Sequence, residues 1–87
     1  MVYFKDMYIV IGGTSDSHVT ETCESWDTIT QWKEFPKMVK ARKNPAAVVF
    51  DSSIYVFAGS NQGKVIMNTI EKFNGSHWEL IDIRLPL

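Results

Sequence analysis

The stretch "MYIVIGG" (residues 7–13) sets five consecutive apolar residues directly before two glycines, and "IYVFAG" (54–59) does nearly the same later in the chain. Gly13 and Gly59 lie 46 residues apart, and so do Trp32 and Trp78. Carried back from the glycines, that offset sets "VYFKDMYIVIGG" (2–13) against "VVFDSSIYVFAG" (48–59), apolar on apolar, with Lys5-Asp6 on Asp51-Ser52. Between the anchors, "TCESWDTITQW" (22–32) faces "TIEKFNGSHW" (69–78). There Glu24 meets Glu71 and Trp26 meets Phe73 at an offset of 47, and the register returns at the tryptophan. Self-similarity at a fixed period is the mark of a repeat architecture, and two copies of one unit fill almost all 87 residues.

Each copy reads as four short strands. The first is "AAVVF" (46–50), shortened to "VYF" (2–4), and a polar turn leads to the second, "IYVF" or "MYIVI". The third is "TCESW" (22–26) or "TIEKF" (69–73), and the fourth is "QWKEF" (31–35) or "HWELI" (77–81). β-Branched and aromatic residues dominate, as strands prefer. Asp27-Thr28 and Asn74-Gly75 are turn chemistry, and Asn-Gly is the strongest short hairpin signal. No window sustains apolar residues at helical spacing. The unbroken apolar second strand predicts cover on both of its faces. Its closing glycines predict positive φ or close approach of another backbone. Four-stranded sheets stacked face to face around an axis form a β-propeller.

These residues resemble the kelch repeat: a hydrophobic strand ending in a double glycine, a spaced aromatic, then a tryptophan. The signature falls on Gly12, Gly13, Trp26 and Trp32 in one copy and on Ala58, Gly59, Phe73 and Trp78 in the other. The family's arginine before the first strand is similar to Arg42. Two positions depart from the pattern, Ala58 for glycine and Trp26 or Phe73 for the usual tyrosine. The resemblance implies an all-β chain of two four-stranded antiparallel blades, a partial kelch-type propeller or one closed by oligomerisation. Blade 1 would span 1–35 with its first strand truncated. A basic inter-blade linker follows at 36–45, blade 2 at 46–83, and the start of a further linker at 84–87. Two blades alone leave apolar faces uncovered, so further blades are expected, from a longer chain or from homo-oligomerisation.

The totals exclude several classes. Net charge is −1, with 45% hydrophobic and 22% charged residues, so neither disorder nor a nucleic-acid partner is indicated. No apolar run approaches the roughly 20 residues that span a bilayer. The N-terminus makes a poor signal peptide, and Cys23 stands alone, so a cytoplasmic chain is expected. His18 and His77 lack partners at metal-binding spacings, and Cys23 lacks a neighbouring base. No catalytic residue, metal site or cofactor is therefore assigned. Cys23 reads as a small core hydrophobe, the tryptophans as filling between blades, and Asn74-Gly75-Ser76 as a turn rather than a glycosylation site.

One feature stands out. Lys33, Lys37, Lys40, Arg42 and Lys43 place five of nine cations within eleven residues, against the single acid Glu34. The bland reading is a solvated linker. By resemblance, kelch propellers bind partner peptides on the face built by such linkers and by the loops after the double glycine. That face would join Arg42, Lys40 and Lys43 to Ser15 and Ser17 of "TSDSHVT" (14–20), and to Ser60, Asn61 and Gln62 of "SNQGKVIMN" (60–68). Cations beside hydroxyl and amide groups suit a protein or acidic peptide partner. The resemblance also implies possible roles: a substrate receptor in a BTB-kelch ubiquitin-ligase adaptor, or a cytoskeletal binder. The alternatives are a fragment of a kelch-type copper oxidase and a truncated product without independent function.

Overall fold

The computed structural model describes residues 1–27, 32–84 and 86. Those residues hold ten strands and no helix: β1 (Val2–Phe4), β2 (Met7–Ile11), β3 (Thr14–Ser15), β4 (His18–Val19), β5 (Cys23–Trp26), β6 (Lys33–Phe35), β7 (Ala46–Phe50), β8 (Ser53–Phe57), β9 (Ile70–Phe73) and β10 (Trp78–Ile81). They form two antiparallel sheets, ordered β1-β2-β5-β6 and β7-β8-β9-β10, plus the small β3-β4 hairpin. These are the two expected four-stranded blades. The fourth strand of blade 1 begins at Lys33, and Thr28 and Gln31 of the expected turn and strand lie outside the described residues.

The turns explain why the strands reverse where they do. Lys5-Asp6, Asp16-Ser17 and Asp51-Ser52 each join two strands, and all six residues have positive φ. Paired positive φ marks the primed two-residue turns, whose twist matches that of the flanking strands. The expected loop 14–20 is therefore partly a hairpin. Asn74-Gly75 instead belongs to a four-residue connection, in which Asn74 Oδ1 accepts from the amides of Ser76 and His77 at 3.0 and 3.2 Å.

The pairing register sorts each blade into two faces. In blade 1, Tyr8 pairs with Trp26 and Val10 with Glu24 on one face, called the front; Ile9 pairs with Ser25 and Ile11 with Cys23 on the back. In blade 2 the front carries Ile54, Val56, Glu71, Phe73 and Trp78, and the back carries Tyr55, Phe57, Ile70, Lys72 and Ile81. The core forms where the back of blade 1 meets the front of blade 2. Phe73 packs against Phe4 at 6.2 Å and Phe35 at 4.7 Å between ring centroids, and against Trp78 in its own blade at 5.3 Å. Full burial of one such aromatic contributes roughly 2–3 kcal/mol.

This arrangement corrects one expectation. The second strand is not covered on both faces: Ile9 and Ile11 are buried, but Tyr8 and Val10 remain 39% and 38% exposed. The reason is that, among the described residues, none lies over the front of blade 1. In blade 2 the corresponding Ile54 and Val56 are fully buried, because blade 1 covers them.

The turn geometry carries a test. Replacing Asp51-Ser52 by Asn-Gly removes the side chain held at positive φ at position 52 and sets the preferred asparagine at 51, and should stabilise the chain by about 1 kcal/mol, read as a higher urea midpoint at unchanged slope.

Candidate partner-binding face

The linker is threaded between the blades rather than laid over them. The Met38 amide donates to the Glu21 carbonyl at 2.8 Å and the Arg42 amide to Thr20 at 3.2 Å, while the Gly13 amide donates to the Arg42 carbonyl at 2.8 Å. Toward blade 2, Lys43 and Ser60 exchange backbone hydrogen bonds at 2.8 and 3.0 Å. The glycines permit this closeness. A Cβ at Gly12 would collide with the Arg42 carbonyl oxygen, and one at Gly59 would lie 2.9 Å from that of Lys43. Both glycines also have positive φ, so both reasons expected for them operate together.

Arg42 sits at the centre of this seam with no solvent exposure. Its Nε and Nη2 donate to Glu71 Oε2 at 3.2 and 3.1 Å, and Nη2 also donates to Thr69 Oγ1 at 2.8 Å. Its Nη1 donates to the carbonyls of Ala58 and Thr69 at 2.9 and 3.2 Å. All five guanidinium N–H groups are thereby used. Glu71, equally buried, accepts the amides of Val39 at 2.6 Å and Lys40 at 3.1 Å. Trp78 completes the seam by donating its indole N–H to the Pro36 carbonyl at 2.8 Å. No buried side-chain nitrogen or oxygen lacks a partner among the described residues.

The expectation that Arg42 is a donor to a partner is therefore corrected. Sequence pattern grouped it with the lysines by charge, but its fork geometry matches acceptors inside the protein. The signal that could have separated it was available: Glu71 repeats Glu24 and, two residues before Phe73, falls on the same strand face as that aromatic, and a carboxylate there demands a buried cation. The remaining candidates reach the surface. Lys40, Lys43 and Ser17 are exposed, Ser60 is half-buried, and Ser15 lies in β3. Gln62 joins the two loops, its Oε1 accepting the Val19 amide at 2.6 Å and its Nε2 donating to the Ser17 carbonyl at 3.2 Å. Asn61 Oδ1 accepts from the amides of Gly63 and Val65, which shapes the loop of blade 2.

Beside that loop runs a groove of about 260 Å³, lined by Lys40, Asn61, Val65, Ile66, Met67, Asn68, Thr69 and Arg84, with no acidic residue. Sequence reasoning missed Arg84 and Asn68, which lie 44 and 28 residues from Lys40 and reach it only through the fold. A larger hollow of about 730 Å³ lies at blade 1 between Thr22–Glu24 and Glu34–Lys37. Its two acids are on the front of the blade, away from the basic groove.

The nucleophile and metal candidates sit elsewhere. Burial pushes the Cys23 thiol up to about 11, opposed in part by the Gly12 and Met38 amides and reinforced by the charge of Glu71. No group of three or more histidine, cysteine or acidic side chains able to hold a metal occurs among the described residues. Trp78 is buried as expected of a residue between blades, whereas Trp32 is 50% exposed and stacks with Trp26 on the open front.

Two four-stranded sheets stacked front to back and joined by a threaded linker are blades of a β-propeller. Residues 41–81 match the Kelch motif family, and this span runs from the residue before Arg42 to the last residue of β10. Blade 2 with its arginine thus matches the Kelch motif, whose copies generally mediate protein–protein interaction. No curated protein matches the chain. No helix among the described residues is long and apolar enough to cross a membrane.

Two outcomes are expected. Arg42→Ala leaves Glu71 buried without its cation and should cost about 3–5 kcal/mol in urea unfolding; Arg42→Lys should stay destabilised, because three ammonium donors replace five. The raised Cys23 thiol stabilises the fold fully below the unfolded value of 9.0, and that contribution is lost as pH rises through about 11. Relative to Cys23→Ala, the wild-type chain should therefore lose stability between those two values, which paired denaturation curves across that range will read.

Proposed function

We propose that the chain is a non-enzymatic interaction module, a segment of a kelch propeller that binds an acidic stretch of a partner protein. The observation that carries this reading is the basic groove. Lys40 and Arg84 flank it, Asn61 and Asn68 add amide groups, and exposed Val65 and Ile66 supply an apolar wall. Carboxylates entering the groove meet two cations and amide donors, while neighbouring apolar side chains cover Val65 and Ile66. Glu71 fixes the Lys40 backbone and Asn61 fixes its own loop, so the groove is held before a partner arrives.

A cytoplasmic setting agrees with this reading. Among the roles the family resemblance implies, a substrate receptor of a BTB-kelch ubiquitin-ligase adaptor and a cytoskeletal binder both require recognition of a protein segment, and the groove suits that step. Further blades, from a longer chain or from other copies, would extend the same face.

The test uses a fluorescently labelled peptide rich in Asp and Glu, titrated into the chain and followed by anisotropy. Lys40→Glu together with Arg84→Glu should weaken binding by about 10-fold or more, and added salt should weaken the wild-type complex. Lys5→Glu, on the β1–β2 turn, should leave it unchanged. Equal binding by the groove variant would remove the proposal.

A further inference from the structure

One side chain of blade 2 occupies the edge of the small hairpin in blade 1. Gln62 turns its carboxamide toward β4, where Oε1 accepts the Val19 amide at 2.6 Å and Nε2 donates to the Ser17 carbonyl at 3.2 Å. Val19 faces Thr14 across the hairpin, and the hydrogen bond from the Thr20 amide to the Gly13 carbonyl lies beside that pair rather than within it. The Val19 amide is therefore turned outward, as in a non-hydrogen-bonded antiparallel pair. A primary carboxamide, with one acceptor and one donor side by side, satisfies two backbone groups that a bare strand edge leaves open.

Blade 2 builds the same edge a second time. The Met67 amide donates to the Gly59 carbonyl at 2.8 Å, as Thr20 does to Gly13 at 2.9 Å. Ser60 pairs with Ile66 as Thr14 pairs with Val19. Lys64 and Ser17, each two residues before the paired position, take φ of 63° and 66°. The Ile66 amide and the Lys64 carbonyl thus hold the places of the Val19 amide and the Ser17 carbonyl. Among the described residues neither group has a hydrogen-bond partner, and both residues are exposed, Ile66 at 68%. The loop around them is fixed. Asn61 donates its amide to the Val65 carbonyl at 3.0 Å, accepts that of Lys64 at 3.0 Å, and holds the Gly63 and Val65 amides through Oδ1.

The surroundings of this second edge select what reaches it. Ile66 lines the basic groove together with Lys40 and Arg84, and no acidic residue shares that lining. A segment drawn into the groove is therefore acidic. We infer that the Ile66 amide and the Lys64 carbonyl recognise a glutamine-type carboxamide side chain within that acidic segment, in the way that Val19 and Ser17 hold Gln62. The inference rests on the proposed groove function and adds selectivity to it. Carboxylates at Lys40 and Arg84 supply attraction, and the carboxamide sets the register of the segment. A glutamate at that place accepts from Ile66 but sets a second acceptor against the Lys64 carbonyl, and a methionine of similar length offers neither group.

The test titrates the 87-residue chain with labelled peptides of Asp and Glu that differ only at a central Gln, Glu or Met, at fixed salt and followed by anisotropy. The Gln peptide should bind about 10-fold more tightly than the Met peptide, and more tightly than the Glu peptide despite its smaller charge. In an isotope-labelled chain, the Gln peptide should shift the Ile66 amide proton downfield, as a new hydrogen bond does, and the Met peptide should not. Ile66→Pro removes the donor and should lower the Gln peptide to the affinity of the Met peptide, with circular dichroism reporting that the strands persist. The resonance readout on the wild-type chain does not depend on that variant folding. Equal binding by the Gln, Glu and Met peptides, or an unmoved Ile66 amide, would overturn the inference and leave the acidic-segment reading standing. Failure of every one of these peptides to bind would remove both.

Discussion

A guanidinium and a carboxylate with no access to water hold the two halves of this molecule in register. Arg42 belongs to the linker and Glu71 to the third strand of blade 2, so their contact decides where the linker lies. Removing both charges from water is expensive, and the cost is offset only because every donor of Arg42 finds an acceptor and Glu71 also takes two backbone amides. A shift of the linker by one residue would strand several of these groups at once. The pair therefore selects one threading more than it adds raw stability. The hydrophobic contacts of Phe73 and Trp78 supply cohesion but would tolerate small slips that hydrogen bonds do not.

The double glycines serve the same constraint from the other side. The linker backbone passes so close to Gly12 and Gly59 that a side chain there would push it out of reach of Glu71. Ala58 takes the place of a glycine and holds φ of 60° while its carbonyl accepts from Arg42.

Rigidity at the seam and variety at the surface follow from one another. Because the linker and the double-glycine strands are fixed internally, the loops 14–19 and 60–68 hold their shape at the surface, with Gln62 tying one to the other. The lysines of the linker project from this frame, while its arginine is consumed by it. Five cations that look alike in the chain thus divide by chemistry: the planar five-donor group goes inside and the strongly hydrated ammonium groups stay in water.

The strand order, the turns and the two-copy plan were legible in the sequence, because β-strand patterning and turn residues act over a few positions and repeat at a measurable offset. The placement of Trp78 between blades and the polar turn at Asp51-Ser52 follow from that local information. What the sequence could not determine was which copies of equivalent residues are covered. Tyr8 and Ile54, or Phe4 and Phe50, hold the same repeat position, and one of each pair is buried while the other is exposed. Nor did charge alone reveal that Arg42 is internal, or that Arg84 joins Lys40 at one groove. Burial and convergence are properties of surfaces brought together by stacking, and the tertiary structure decides them because each depends on residues far away in the chain.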